Sequence, residues 1–375
     1  MEVIGIISAH YLPHLGGVER YTYNLAKGLL KEEKKVIIIT SAFKNLPWKE
    51  EMEGIKIYRL PSFSFISGRM PVLNLNRECK TKIKEIEKEK IDRIIINTHL
   101  YTLSCWGSYW AKKNKIKAIL IEHGTKHMDF NRRWINKLSK VYEHVLMTFI
   151  KRYISDFYGV SISCNKWLKH FGIKGKGVLY NAIRIEDFKN KTPCYRERLE
   201  IEKDKIVISF VGRLIEEKGI RKVCKAFEKL DKTKVCLIIA GDGELFTELK
   251  NKYNNILWLG AIEHEEVIKL LHITDIYILP TDYPEGFPTS VLEAAMCACC
   301  IVTTNAGGSK ELIINSSYGV IMQDNSVEEL KKKLEWLLSQ GEIRGQMGRN
   351  VQNRVKKHFT WDLTVKKVIE ELESL

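Results

Sequence analysis

At 375 residues the chain is longer than one hydrophobic core usually organises, so two domains are expected. With 45% hydrophobic and 29% charged residues, 24 glycines and 8 prolines, it excludes collagen-like and disordered classes. No apolar run nears the roughly 20 residues of a membrane span, and the run Val3–Ile7 lacks the flanks of a signal peptide, so a cytoplasmic setting is expected. The net charge of +15 is uneven. Residues 1–200 carry 37 Lys/Arg and 20 Asp/Glu (+17), while residues 201–375 carry 24 and 26 (−2). Such a bias suits an anionic partner for the first half or a Lys-rich solvated surface, and no nucleic-acid motif accompanies it.

Strands and helices alternate along the chain. Val3–Ser8 is predicted as a buried strand, followed by a loop holding Gly16 and Gly17 and a helix with Tyr21, Leu25 and Leu29 on one stripe. Val36–Thr40, Lys56–Leu60, Arg93–Asn97, Ala118–Glu122 and Gly159–Ser163 are further predicted strands. A second series follows at Ile206–Val211, Val235–Ala240, Ile256–Leu259, Asp275–Leu279 and Cys300–Thr303, with a helix placing Ile220, Val223, Phe227 and Leu230 inward. This alternation predicts parallel sheets with helices on both faces. The polar stretch Asn181–Lys205, with 7 basic and 6 acidic residues, is the expected connection. It divides the chain into residues 1–185 and 186–359. The last helix, within 360–375, carries Leu363, Val365, Val368, Ile369 and Leu372 and is expected to pack back on the first domain. The fold class expected is α/β, two facing Rossmann-like domains with ligand in the inter-domain cleft at the carboxyl ends of the strands.

Nine cysteines in a long chain of this class do not predict a disulfide framework. Cys297, Cys299 and Cys300, in AAMCACCIV, read as small buried apolar residues.

The densest chemistry lies between Asp275 and Leu312. A strand ends at Pro280, and the loop TDYPEGF leads into the helix PTSVLEAAMCA, with Pro288 expected at the first helical position. Leu292, Ala295 and Met296 are its buried stripe. The helix N-terminus then suits a phosphate. Glu285 and Glu293 frame this end; they would repel phosphate unless they accept hydrogen bonds from hydroxyls such as a vicinal diol. Solvated first-turn carboxylates are the alternative. Arg213 and Lys218, in FVGRLIEEKGI, follow the first strand of the same half and can reach the same edge. With the helix they could offset a diphosphate without a metal, the alternative being plain surface charge. The chain has no DxD pair, HExxH or P-loop. Gly241-Asp242-Gly243 reads as a structural turn.

Taken together, GRLIEEKG, AGDGEL, LGAI, EGFPTSVLEA and TTNAGGSKELI resemble the retaining, nucleotide-sugar-dependent glycosyltransferases of family 4, which have the GT-B fold. The resemblance extends through LGGVERYTYNLAKGL, IEHG, VSISCNKWL and LYNAIRIEDF, and so covers nearly the whole chain. Its most specific element is the pair Glu285 and Glu293. The resemblance implies that Glu285 contacts donor-sugar hydroxyls and Glu293 the nucleotide ribose, while Arg213 and Lys218 bind the diphosphate as it leaves. It places Gly16 and Gly17 near the phosphate or acceptor, His123 at the reaction centre and the backbone of Ile262 at the nucleobase. Gly286, Phe287, Pro288 and Thr289 would belong to the donor-binding loop, and Gly307 and Gly308 to the cleft wall. Glu19 has a ready explanation in helix capping, and His127 and Asp129 carry no assigned role. Ala182 and Lys310 depart from residues common in the family, Gly and Pro.

The activity implied is hexosyl transfer from a nucleoside diphosphate sugar to a hydroxyl, with retention, no metal, no other cofactor and no dedicated protein base. The expected partners are the donor, a glycan or lipid-linked glycan acceptor, and an anionic membrane surface, with no nucleic acid. A basic and apolar surface from Phe130 to Tyr153, with Arg132, Arg133, Lys137, Lys140, Lys151 and Arg152 among Trp134 and Phe149, is the candidate for contact with the inner face of a membrane. Within it VLMTFI reads as buried helix. A nucleotide-sugar epimerase, a phosphorylase and a non-catalytic sugar-nucleotide binder are the competing readings.

Overall fold

The computed structural model describes residues 1–14, 16–43, 46–65, 68–128, 133–189 and 195–375. They form two compact units, Met1–Asn181 with Trp361–Leu375, and Ala182–Thr360.

In the first unit the strands are β1 (Val3–Ile7), β2 (Lys35–Ser41), β3 (Lys49–Met52), β4 (Ile55–Leu60), β5 (Ser62–Phe65), β6 (Met70–Leu73), β7 (Arg93–Asn97), β8 (Lys117–Glu122), β9 (Asp156–Gly159) and β10 (Gly177–Val178). Eight of them make one sheet in the order β10-β9-β8-β7-β1-β2-β4-β3, and β5-β6 form a separate antiparallel hairpin. All pairs of the large sheet are parallel except β3 with β4. Ile4, Ile6, Ile38, Ile95 and Ile119 are fully buried, as expected of parallel strands covered on both faces. The helices are α1 (Gly17–Lys31), α2 (Arg77–Glu87), α3 (Thr102–Lys113), α4 (Arg133–Ile150) and α5 (Ile162–His170).

Two sequence expectations change here. The strand predicted at Gly159–Ser163 lies three residues earlier, as β9. The hydroxyl of Ser161 accepts from the Cys164 amide at 3.2 Å and caps α5, so the apolar residues after it belong to a helix. The charged edge strand β3 (KEEM) carries no apolar alternation and was not anticipated.

In the second unit β11 (Ile206–Val211), β12 (Val235–Ala240), β13 (Leu257–Gly260), β14 (Ile276–Leu279), β15 (Cys300–Thr303) and β16 (Val320–Ile321) form an all-parallel sheet in the order β13-β12-β11-β14-β15-β16. Its helices are α6 (Tyr195–Arg198), α7 (Ile220–Glu228), α8 (Phe246–Lys252), α9 (His264–His272), α10 (Thr289–Met296), α11 (Ser309–Leu312), α12 (Val327–Ser339) and α13 (Gly341–His358). Cys299 and Cys300 are buried as expected, Cys297 is half-buried, and the described cysteines are free thiols.

The last helix, α14 (Trp361–Glu373), belongs to the first unit. Val365 packs so closely on α1 that a Cβ on Gly28 would lie 2.3 Å from its methyl carbon. Thr364 donates to the Tyr180 carbonyl at 3.1 Å, Tyr158 donates to Glu371 at 2.6 Å, and the Arg93 guanidinium reaches the Leu372 carbonyl at 3.1 Å. Leu363, expected inward, is 45% exposed, because Trp361, Thr364, Val365 and Val368 already fill the buried stripe.

Candidate active site

The residues expected on the donor side gather at the carboxyl ends of β11 and β14. Beyond β11 the chain makes a 3-10 turn, Glu216–Lys218, closed by Gly219 at φ 77°. A Cβ on Gly219 would sit 2.1 Å from the Pro280 carbonyl oxygen, so only glycine permits both this backbone conformation and this approach. The two loops are then clipped together: the Glu217 carbonyl accepts from the amides of Asp282 and Tyr283 at 2.7 and 3.1 Å and from the Thr281 hydroxyl at 3.2 Å.

This clip brings Arg213, Lys218 and Glu285 around one aromatic ring. The Arg213 guanidinium lies 5.1 Å and the Lys218 ammonium 5.4 Å from the Tyr283 ring centroid. Lys218 is ion-paired with Glu285, the side chains being 13% and 15% exposed. Gly307 and Gly308 pack against the backbone of Glu285 and Gly286 and the ring of Phe287 respectively, fixing the EGF loop from the other side.

Pro288 is the residue before α10 rather than its first: its carbonyl accepts from the Val291 and Leu292 amides at 3.2 and 3.4 Å, and the helix begins at Thr289. The Tyr277 hydroxyl bridges the Val211 carbonyl at 3.1 Å and the Ser290 hydroxyl at 2.7 Å, tying the first turn of α10 to the end of β11. Leu292, Ala295 and Met296 are buried as expected. Glu293, in the second turn, is buried, and one of its oxygens meets His264 Nε2 at 2.8 Å. His264 opens α9 two residues after Ile262, so Glu293 and Ile262 share one neighbourhood. Tyr283, Tyr277 and His264 were not anticipated from the sequence. A cavity of about 700 Å³ beside β16, lined by Ile313, Ile321 and Trp336 among others, includes none of these residues.

In the first unit, Gly16 and Gly17 begin α1 after the β1 loop. A Cβ on Gly16 would lie 2.4 Å from a Glu19 carboxylate oxygen, because that side chain folds back over the helix start and pairs with His14 Nδ1 at 3.2 Å. Gly17 is exposed with open space where a side chain would stand.

His123 follows β8. Its Nε2 lies 3.1 Å from Asn97 Oδ1, while Asn97 Nδ2 donates to Thr22 at 2.8 Å. The His123 proton therefore sits on Nε2, and Nδ1 carries a lone pair. The ring meets Tyr21 edge-on at 4.7 Å. Burial pushes the imidazole down to about 4 against the pull of Glu122, so it is neutral at pH 7.

Beneath it lies a buried network that sequence reading missed. One oxygen of Glu122 accepts from the amides of His123 and Gly124 at 3.0 and 2.8 Å, and the other meets His99 Nδ1 at 2.5 Å. The far nitrogen of His99 is 3.8 Å from Glu143. Burial pulls His99 down, but Glu122 and Glu143 outweigh it and raise the imidazole to about 9; both carboxylates are correspondingly held low against their own burial.

Two Rossmann-like units, the second carrying phosphate-compatible cations and paired carboxylates at its sheet edge, define the GT-B class of glycosyltransferase. The family models agree: Glycosyltransferase Family 4 matches residues 15–187, and Glycosyl transferases group 1 matches residues 192–354. The chain belongs to this group 1 and family 4 type. It is 29% identical to the uncharacterized glycosyltransferase MJ1069 of Methanocaldococcus jannaschii, over 99% of this chain and 98% of that one. It is 26% identical to the phosphatidylinositol N-acetylglucosaminyltransferase GPI3 subunit of Saccharomyces cerevisiae, over 98% and 82%. Among solved structures, Anabaena Alr3699/HepE in complex with UDP superposes with a TM-score of 0.79 at 17% identity, covering 100% of each chain.

Proposed function

We propose that the protein is a retaining hexosyltransferase that uses a nucleoside diphosphate sugar and delivers the sugar to a hydroxyl of a glycan or lipid-linked glycan. The observation that carries this reading is the grouping of Arg213, Lys218 and Glu285 about Tyr283 beside the start of α10. A diphosphate arriving there takes Lys218 from Glu285 and frees that carboxylate for the sugar hydroxyls. The ribose hydroxyls join His264 at Glu293, near the backbone of Ile262. Gly286, Phe287, Pro288 and Thr289 complete the donor loop.

As the glycosidic bond breaks, negative charge accumulates on the leaving phosphate, where preorganised cations act on the transition state. In this reading Arg213, Lys218 and the helix dipole supply that charge, so the donor chemistry needs no metal ion. A phosphate oxygen takes the acceptor proton on the face the donor leaves, which keeps the anomeric configuration. His123, neutral and with Nδ1 open, accepts a hydroxyl hydrogen bond; Gly16 and Gly17 give backbone access on the same unit. The UDP bound by the Anabaena protein makes UDP-sugars the first donors to try, and the lipid substrate in the yeast relative's name supports a lipid-linked acceptor.

The acceptor reading also draws on α4, where Trp134, Leu138, Val141 and Val145 are exposed on one stripe beside the exposed Arg133, Lys137 and Lys140. Of the segment expected to be buried, Leu146, Met147 and Ile150 are buried, Phe149 is half-buried, and Val145 and Thr148 are exposed. Phe130, Arg132 and Asp129 lie outside the described residues. Among the described residues no helix is long and apolar enough to cross a membrane. Flotation with anionic and neutral vesicles tests the surface role: binding to anionic vesicles, lost in Trp134→Glu, is expected, and no binding to either removes it.

The decisive experiment is a thermal-shift panel of UDP-, GDP- and ADP-sugars with and without added Mg²⁺, followed by transfer assays. One sugar nucleotide at 100 times its Kd should stabilise by about 2.7 kcal/mol, equally in both conditions. No stabilisation by any, or stabilisation only with Mg²⁺, overturns the reading.

A further inference from the structure

We propose that His127, His144 and His170 form a binding site for a divalent transition-metal ion of the Zn²⁺ class in the first unit, separate from the donor chemistry. His127 lies in the loop after β8, His144 on α4, and His170 is the last residue of α5. Three segments distant in sequence thus bring three imidazoles to one point. The Nε2 atom of His170 is 3.1 Å from that of His127 and 3.2 Å from that of His144, and the three ligand nitrogens all lie within 4.8 Å of one another.

Proton accounting favours a ligand set over a hydrogen-bonded cluster of neutral rings. His127 Nδ1 lies 2.7 Å from Glu143, which accepts, so the neutral ring has its proton on Nδ1 and a bare lone pair on Nε2. His170 Nε2 can donate one proton to one of its two neighbours; its other contact then sets nitrogen against nitrogen with no hydrogen of its own to share. A metal ion satisfies all three lone pairs at once. With Zn–N bonds of about 2.0–2.1 Å, tetrahedral ligand nitrogens stand about 3.4 Å apart, close to the two short separations here. The exposed His144 and His170 side chains can turn to close the wider one.

The surroundings match those of metal-bound imidazoles. Glu143 is fully buried; it holds His127 Nδ1 and also accepts from the Met128 amide at 3.0 Å, the carboxylate–histidine arrangement that orients a ligand ring. The Trp167 ring stacks on His170 at 4.8 Å and 6°, and meets His127 edge-on at 4.7 Å. Three neutral nitrogens with no carboxylate in the set suit Zn²⁺, Co²⁺, Ni²⁺ or Cu²⁺ and disfavour Mg²⁺ and Ca²⁺. Water completes the fourth position. The same Glu143 approaches His99, which meets the Glu122 that holds the His123 amide. An ion at the three histidines therefore fastens the loop from His123 to Met128 between α4 and α5.

The test uses full-length, tag-free protein dialysed against EDTA and returned to chelator-free buffer. Titration with CoCl₂ should give the visible bands of tetrahedral Co²⁺, saturating at one ion per chain, bleached by one equivalent of ZnCl₂ and unaffected by MgCl₂. His144→Ala and His170→Ala, both at exposed positions, should keep the far-UV spectrum and weaken binding at least about tenfold. Absence of Co²⁺ and Zn²⁺ binding at micromolar concentration, or unchanged binding in both folded variants, overturns the proposal. The readout is metal binding alone, so it stands or falls apart from the transferase reading.

Discussion

The two units keep their ionisable side chains in opposite ways. In the second, Lys218 with Glu285 and Glu293 with His264 are paired at the end of a sheet, with Lys218, Glu285 and His264 partly open to solvent. Such partly exposed partners can be exchanged for the groups of an incoming ligand. In the first, His99, Glu122 and Glu143 are buried together, where removing one member leaves an uncompensated charge. In the proposed function the exchangeable pairs serve binding; the locked ones hold backbone in place, here the amides of His123 and Gly124.

The largest effect that would sharpen this contrast is loss of a cation proposed to bind the donor. Arg213→Ala and Lys218→Ala are each expected to lower turnover by about 10²–10³ with the fold intact. Near-normal transfer by both in a steady-state assay would break the comparison on the donor side. Glu293→Ala should come next, weakening donor binding by about 1.5–3 kcal/mol, read as a raised Kd for the sugar nucleotide in calorimetry.

Gly219→Ala forces a Cβ onto the Pro280 carbonyl and a residue with a side chain into left-handed backbone. A loss of about 1–3 kcal/mol in urea denaturation is expected, with donor affinity falling as the two loops part.

The buried network makes a pH prediction. The folded pKa of His99 is raised from 6.5 to about 9, so its stabilisation is complete below pH 6.5 and is lost as pH rises through 9. His123 is lowered from 6.5 to about 4, so its contribution is complete above pH 6.5 and is lost as pH falls towards 4. Urea denaturation across pH 4.5–9.5 should therefore show a decline on each side, and His99→Gln should flatten the alkaline one. An alkaline limb unchanged in that variant would contradict the network. Smallest of all, Leu363→Ala should move stability by no more than about 0.5 kcal/mol, whereas Val368→Ala on the same helix should cost more.

The alternation of strands and helices was readable because parallel strands buried on both faces appear as unbroken apolar runs such as those of β1 and β12. The residues proposed for donor binding stood out for a related reason: Arg213 and Lys218 lie in one short segment after β11, and Glu285 and Glu293 in the loop and opening turns of α10. Tyr283 escaped notice because an aromatic residue in a loop carries no period. The network around His123 was invisible because residues 99, 122, 127, 143 and 170 meet only after β8, α4 and α5 have packed. The misplaced strand at 159–163 shows a local rule overriding an apolar run, since one serine cap converts it to helix. Pro288 shows the reverse, a proline whose carbonyl rather than its ring begins the helix.

The attachment of α14 to α1 means that the first unit is built from both ends of the polypeptide, with residues 182–360 falling between its two segments in sequence. A truncation after Asn181 would bare the apolar side of α1 at Tyr21 and Gly28, and a recombinant hybrid cut once between the units would inherit a foreign tail there. Under the proposed function, exchanging units among homologues to recombine specificities therefore calls for two junctions, with the closing segment Trp361–Leu375 travelling alongside residues 1–181.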